Sequence, residues 1–320
     1  MRTLLLILTL LTLVGRCAAD DPAPEDRAVA HLAREVPRWP AEEKCFSCHN
    51  SGVGAAALFA AVRRGHKVPD KALAETTRWL THPEKWDGQR NGGTPTDPAL
   101  ARIQYGAALA AAIDAGLVKE RRPLLDAARL IAAGQRKDGS WQVNAEGTLG
   151  SPTTLGPALA TQMARGVLRK ADDKAHAEAI ARADRWLRRA EVKSVPDAAA
   201  VLLALEGADD REAVEQRRRG LRLLHDAQDK HGGWGPYDTS APEPFDTALA
   251  LLALARYPNE EGAADRIKRG RDYLVAAQEK EGNWPETTRP AGAVSYAQRT
   301  ATTGWALRAL LTTGGAATRR

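Results

Sequence analysis

The chain is poor in the residues that mark most chemical classes. Of 320 residues only three are Cys, two Met and three Phe, and aromatics make up 5%. Three cysteines cannot staple a disulfide scaffold. Cys17 falls at the end of the opening apolar segment, so Cys45 and Cys48 hold the remaining thiol chemistry. After Val14 no uncharged apolar run approaches the ~20 residues of a membrane-spanning helix, and no transmembrane span is expected beyond that point. Net charge is small, with 46 Lys and Arg against 40 Asp and Glu. Arg217, Arg218 and Arg219 stand among Glu212 and Glu215, the pattern of a solvated helix face, and no basic stripe is interleaved with aromatics. Nucleic acid is therefore not an expected partner.

What is present begins with a leader. Met1-Arg2, the apolar run from Leu4 to Val14 and Gly15-Arg16-Cys17-Ala18-Ala19 have the layout of a secretory signal peptide over residues 1–19. Cleavage after Ala19 would leave an exported chain, periplasmic or extracellular, of a single domain over 20–320. Arg16 argues against lipidation of Cys17, which wants a small residue before it.

The remaining chain repeats itself. Gln135, Gly139 and Trp141; Gln228, Gly232 and Trp234; and Gln278, Gly282 and Trp284 share the spacing Gln-x3-Gly-x-Trp. Each copy follows a helical pattern rich in Ala, Leu and Arg and precedes a polar, Pro-containing loop and a second apolar helix. These second helices are expected over Thr154 to Val167, Phe245 to Ala255 and Thr300 to Leu311. Being apolar on nearly every face, they should be buried. Looser copies run through Trp79-Leu80 with Glu84 and Trp186-Leu187 with Glu191, an acid standing where the glutamine would be. Their second helices would be Pro98 to Ala115 and Pro196 to Leu205, and a divergent first copy spans Ala28 to Arg64. About six hairpins of roughly 50 residues result, none able to bury its apolar face alone.

The string Arg269-Gly270-x2-Tyr273-Leu274-x3-Gln278-x3-Gly282-x-Trp284 resembles the QW motif of the squalene and oxidosqualene cyclase and prenyltransferase repeat family. That resemblance implies an all-α fold, an α/α toroid with inner and outer helix rings. It also implies a fastening role for Gln135, Trp141, Gln228, Trp234, Gln278 and Trp284. Cyclases of that family protonate their substrate with an Asp-x-Asp-Asp string between two barrels. No such string occurs here, since Asp172-Asp173 and Asp209-Asp210 lack the third aspartate, and the chain has about half the two-barrel length. Zinc chemistry of the prenyltransferase type lacks a cysteine after Cys48, and thioester chemistry lacks a Gly-Glu-Gln string. The expectation is a toroid that binds an apolar or peptide ligand in a central cavity without terpene cyclisation. A non-catalytic scaffold, or a polysaccharide lyase suggested by Gly232-Gly233-Trp234, stands as an alternative.

Polar residues on the apolar inner helices are the candidates to line that cavity: Gln104, Asp114, Asp197, Asp246 and Tyr296, with Tyr105 and Thr247 nearby. Asp197 follows Pro196 and Asp246 lies two residues after Pro244, so each also reads as a helix cap or first-turn acid.

The sharpest chemical signal is Cys45-Phe-Ser-Cys48-His49. Two thiols at this spacing can form thioethers to a haem while the next histidine binds the iron, the attachment pattern of c-type cytochromes. Such a protein would serve electron transfer and need a redox partner. The sixth ligand would come from Met163, His31, His66, His82, His176, His225 or His231, none singled out by spacing. A Cys45–Cys48 disulfide, and zinc bound with His49, are the other fates of the motif. In the repeat register the motif occupies the turn before an inner helix, at the rim of the ring.

Overall fold

Proline at the first or second position opens four of the inner helices, where its missing N–H removes no intrahelical bond and its fixed φ suits helix entry. The computed structural model describes residues 22–87, 90–91, 94–95, 97–143, 148–289 and 292–314. The expected signal peptide and Cys17 lie outside them. The outer helices are α1 (Pro24–Glu43), α3 (Asp70–Leu80), α5 (Arg122–Ala133), α7 (Ala177–Arg189), α9 (Arg211–Asp226) and α11 (Ala263–Ala277). They alternate with inner helices α2 (Ala55–Arg63), α4 (Pro98–Asp114), α6 (Pro157–Asp172), α8 (Val195–Ala204), α10 (Pro244–Leu254) and α12 (Tyr296–Thr313). A π-helical segment, Cys48–Gly54, leads into α2, and β1 (Arg90–Asn91) pairs antiparallel with β2 (Thr94–Pro95).

Each inner helix packs on its two inner neighbours, and α12 returns to α2, so the six hairpins close an all-α toroid. Amphipathic outer helices cover a ring whose members are apolar nearly all round; every residue of α10 is buried. Helix boundaries shift by a few residues from the expected ones, most at α6, where Leu155 and Gly156 take positive φ and hold the chain out of the helix until Pro157.

The repeated Gln-x3-Gly-x-Trp segments bond alike. Gln135 Nε2 donates to the carbonyls of Gly139 and Ala179, Gln228 Nε2 to those of Gly232 and Arg266, and Gln278 Nε2 to those of Gly282 and Pro24. The following repeat answers with an arginine on the glutamine oxygen: Arg182, Arg269 and Arg27. Trp141, Trp234 and Trp284 are buried, and each indole N–H donates to the end of its own outer helix, at Ile131, Leu224 and Leu274. The third set joins α11 to α1 and so closes the ring, helped by an ion pair of Arg271 with Glu25 at 3.0 Å. In the looser copy Glu191 pairs with Lys193 at the surface. There Gln216, from the next outer helix, donates to the Leu187 and Ala190 carbonyls instead.

Candidate functional site

The inner helices all run the same way, so their amino ends share one mouth of the ring, and there the connection 148–156 turns inward. Gln104 Nε2 on α4 donates to the Thr153 carbonyl at 2.9 Å. From α12, Gln298 donates to Ser151 Oγ at 2.9 Å and the Trp305 indole to the Pro152 carbonyl at 3.3 Å. Since α12 stands opposite α6 in a ring of six, these bonds cross the axis: the loop plugs it. Gln104, expected to face a cavity, is 1% exposed and holds this plug.

At the amino end of α10 lies a buried acid. Asp246, in the first turn of α10, is 0% exposed, and Arg289 Nη2 donates to both its oxygens at 2.9 and 2.7 Å. Arg289 also reaches Glu243 at 3.4 Å, and its Nε and Nη1 find no partner among the described residues. Burial drives the Asp246 carboxyl well above the usual range; Arg289 opposes this and the Glu243 charge adds to it. Two carboxyls facing one guanidinium in an apolar surround favour one retained proton. The Phe245 ring meets Trp305 at 5.8 Å and lies under the Arg289 guanidinium at 5.8 Å.

The other expected cavity residues scatter. Asp197 makes a capping box with Ser194 and edges a rim pocket of ≈ 310 Å³ with Trp186, Lys193 and Tyr237. Asp114 ends α4 at the opposite mouth, where it pairs with Lys170 and Arg63. Tyr296 stacks on Trp39 at 5.3 Å, donates to Glu35 and accepts from Asn50. Tyr105 faces the outer ring, its hydroxyl on the Phe46 carbonyl.

The Cys45-x2-Cys48-His49 segment enters the π-helical turn before α2; Cys45 is half-buried, while Cys48 is 8% exposed and His49 1%. The two cysteines are free and lie toward Tyr105. Burial raises the Cys48 thiol to about 11. The His49 ring points elsewhere, edge-on to Trp39 at 4.8 Å and to Tyr296 at 5.8 Å. Its Nε2 has no partner among the described residues, and burial lowers its pKa to about 3, so it is neutral. Among the described residues no group of three or more His, Cys, Asp or Glu is placed to hold a metal ion, which leaves zinc at this motif without a ligand set. No helix there is long and apolar enough to cross a membrane.

Arg289, Glu243, Trp305 and the plug were not found from sequence. The signal available was Glu243-Pro244-Phe245-Asp246 itself: two acids three apart at the start of an apolar helix, with a lone arginine in the next polar loop.

No protein-family model matches the chain. Over 188 residues, 56% of this chain, it is 29% identical to the drimenyl diphosphate synthase of Streptantibioticus cattleyicolor, of which it covers 35%. It is 31% identical over 90 residues, 28% of this chain, to the drimenyl diphosphate synthase of Streptomyces showdoensis, of which it covers 17%. The chain thus spans about a third or less of these curated relatives. A variant of the type II terpene cyclase MstE from Scytonema, in complex with its product merosterolic acid A, superposes with a TM-score of 0.59 at 13% identity, covering 90% of this chain and 96% of that one. The ent-copalyl diphosphate synthase of Streptomyces platensis does so with 0.53 at 21%, covering 82% and 50%. These relatives overturn the expectation of a toroid set apart from terpene cyclisation. That expectation rested on a missing run of aspartates, and proteins named as terpene cyclases are what the chain resembles. At these identities the structural likeness establishes the fold, the α/α toroid of the type II terpene cyclases.

Proposed function

We propose that the chain is a terpene-cyclase-like enzyme that binds an isoprenoid within the toroid and protonates it from Asp246. The observation that supports this is Asp246 itself: a fully buried carboxyl, pushed toward its neutral form, next in the chain to Phe245, whose ring meets that of Trp305. Glu243-Pro244-Phe245-Asp246 keeps an acid at the first and fourth places of the Asp-x-Asp-Asp string and puts phenylalanine at the third. In the proposed step the Asp246 proton passes to an alkene carbon, and the π electrons of that alkene form the new C–H bond. A neighbouring alkene then closes onto the resulting cation, and loss of a proton ends the sequence. Arg289 and Glu243 set the charge left behind, and the Phe245 and Trp305 faces offer negative potential to a passing cation. The test is product analysis after incubation with farnesyl diphosphate, geranylgeranyl diphosphate and squalene. A cyclised product made by the protein and not by Asp246→Asn supports the reading; recovery of only linear compounds overturns it.

A second reading, covalent haem on Cys45 and Cys48 with His49 on the iron, is favoured by the unpartnered, buried His49 Nε2. Trp39 and Tyr296 enclose that ring, so a haem would enter only with both turned away. Protein expressed in a host that matures c-type cytochromes is expected to show a Soret band that survives acid-acetone extraction if this reading holds. A colourless folded product ends it.

A further inference from the structure

The fourth hairpin is built unlike the three clamped ones. Between outer and inner helix the clamped repeats place residues 134–156, 227–243 and 278–295, and each of those connections carries the turn tryptophan; α7 and α8 are joined by residues 190–194 alone. With no turn tryptophan, the Leu187 carbonyl, the counterpart of Ile131, Leu224 and Leu274, takes Gln216. The short connection leaves a notch in the amino-end rim, and the neighbouring repeats wall it, with residues 136–142 and 148–150 on one side and Tyr237 on the other. A bond from the Val195 N–H to the Pro236 carbonyl at 2.9 Å ties the Tyr237 loop to the start of α8.

The notch encloses ≈ 310 Å³, at the lower end of the ~300–1,000 Å³ of small-molecule sites. A second hollow of ≈ 400 Å³ adjoins it and shares Asp138, Trp186, Ala190 and Glu191, so the Trp186 indole stands where the two meet. Trp186 is half-buried and Tyr237 is 43% exposed. Among the described residues neither ring touches another aromatic ring, and neither the Trp186 indole N–H nor the Tyr237 hydroxyl donates a hydrogen bond. Both rings therefore keep an apolar face and a polar tip for something else.

The charged groups around these rings already have partners. Lys193 pairs with Glu191 at 2.8 Å, and Arg136 donates to the Gln142 side chain. Asp138 takes the Ser140 N–H and hydroxyl on Oδ1, and Asp197 takes the Ser194 N–H and hydroxyl on Oδ2. The second oxygen of each aspartate accepts no hydrogen bond among the described residues. Three carboxylates against Arg136 and Lys193 leave little net charge, so a cation would meet the two bases and an anion the three acids. A ligand that suits this surround is uncharged, with C–H faces for an aromatic ring and hydroxyls at its edge for the free carboxylate oxygens. A sugar ring has both.

We propose that the notch is a binding site for a neutral oligosaccharide of at least two units, one in each hollow, with a ring against Trp186 and hydroxyls on Asp138 and Asp197. It is a site of binding, with no bond made or broken in it. Neither Asp246 nor Arg289 lines it, so it stands independently of the cyclisation reading.

Isothermal titration of the full chain with cellobiose, maltose and chitobiose tests this, with glycylglycine and choline as charged probes. At least one disaccharide should bind saturably below about 10 mM, and its monosaccharide about 10-fold more weakly. Trp186→Ala should lose about 10-fold or more of that affinity, Trp186→Phe should keep most of it, and Tyr237→Ala should lose about 3-fold or more. Circular dichroism and the melting midpoint check folding; Tyr237 is exposed enough that its replacement leaves the fold in place. No saturation by any of the three disaccharides overturns the assignment, as does equal binding by wild type and a folded Trp186→Ala. If Trp186→Ala does not fold, unchanged affinity in Tyr237→Ala overturns it. Tighter binding of glycylglycine or choline than of every disaccharide also overturns it, since the notch would then take a charged ligand.

Discussion

Gly282→Ala is expected to lower the melting midpoint by roughly 6 to 20 °C, the equivalent of ~3 to 5 kcal/mol at the 2–4 °C per kcal/mol of large domains. Gly282 sits at φ +91°, and a Cβ there would drive into the carbonyl of Arg27 on α1. Its own carbonyl accepts from Gln278 Nε2 at 3.0 Å, and that amide also binds Pro24. The added methyl group therefore pushes apart the two helices that close the ring, α11 and α1. Backbone strain alone accounts for only ~1 to 2 kcal/mol of this. Gly65→Ala isolates that share, because Gly65 has φ +87° with nothing within 4 Å of a Cβ. Gln278→Ala, which leaves two carbonyls and the Arg27 guanidinium short of a partner, should cost ~1 to 3 kcal/mol. Equal losses for Gly282→Ala and Gly65→Ala would mean that the close approach to α1 contributes nothing, and ring closure would have to be sought elsewhere.

The hairpins were legible because their fastening is local. A glutamine, a glycine and a tryptophan at fixed spacing form one turn, and the bonds Gln228 to Gly232 and Trp234 to Leu224 lie within eleven residues of each other. All-round apolar composition likewise announced α10 and α12 as inner helices. The site was not legible because its partners are remote in sequence. Arg289 is 43 residues from Asp246, and Pro152 is 153 from Trp305. Ser151-Pro152-Thr153 reads as an ordinary polar connection; only the closed ring turns it into a plug. At His49 a five-residue motif predicts haem, disulfide or zinc chemistry at the rim of the ring, whereas the packing of the imidazole against Trp39 and Tyr296 could be read only from the fold.

Asp246→Asn should remove about 10²- to 10⁴-fold of product formation, the usual worth of a positioned general acid, while leaving isoprenoid binding in place. Its pH signature distinguishes an acid from a structural group. Because the folded-state carboxyl lies well above its ordinary 3.8, the folded chain holds this proton where the unfolded chain has released it. Stability from this group is then fully present below the unfolded value and falls as pH rises toward the folded one. Activity follows the same proton: it should hold through mildly acidic pH and fall as Asp246 ionises. The wild-type melting midpoint should therefore decline with rising pH more steeply than that of Asp246→Asn, whose amide cannot titrate. In the variant Arg289 loses its Asp246 counter-charge and keeps Glu243, which shifts absolute stability at every pH, so the difference in pH slope is the informative quantity. Parallel slopes together with wild-type turnover in Asp246→Asn would assign the proton to another residue, and the Asp246–Arg289 pair would be a fastening of α10 to the loop that covers it.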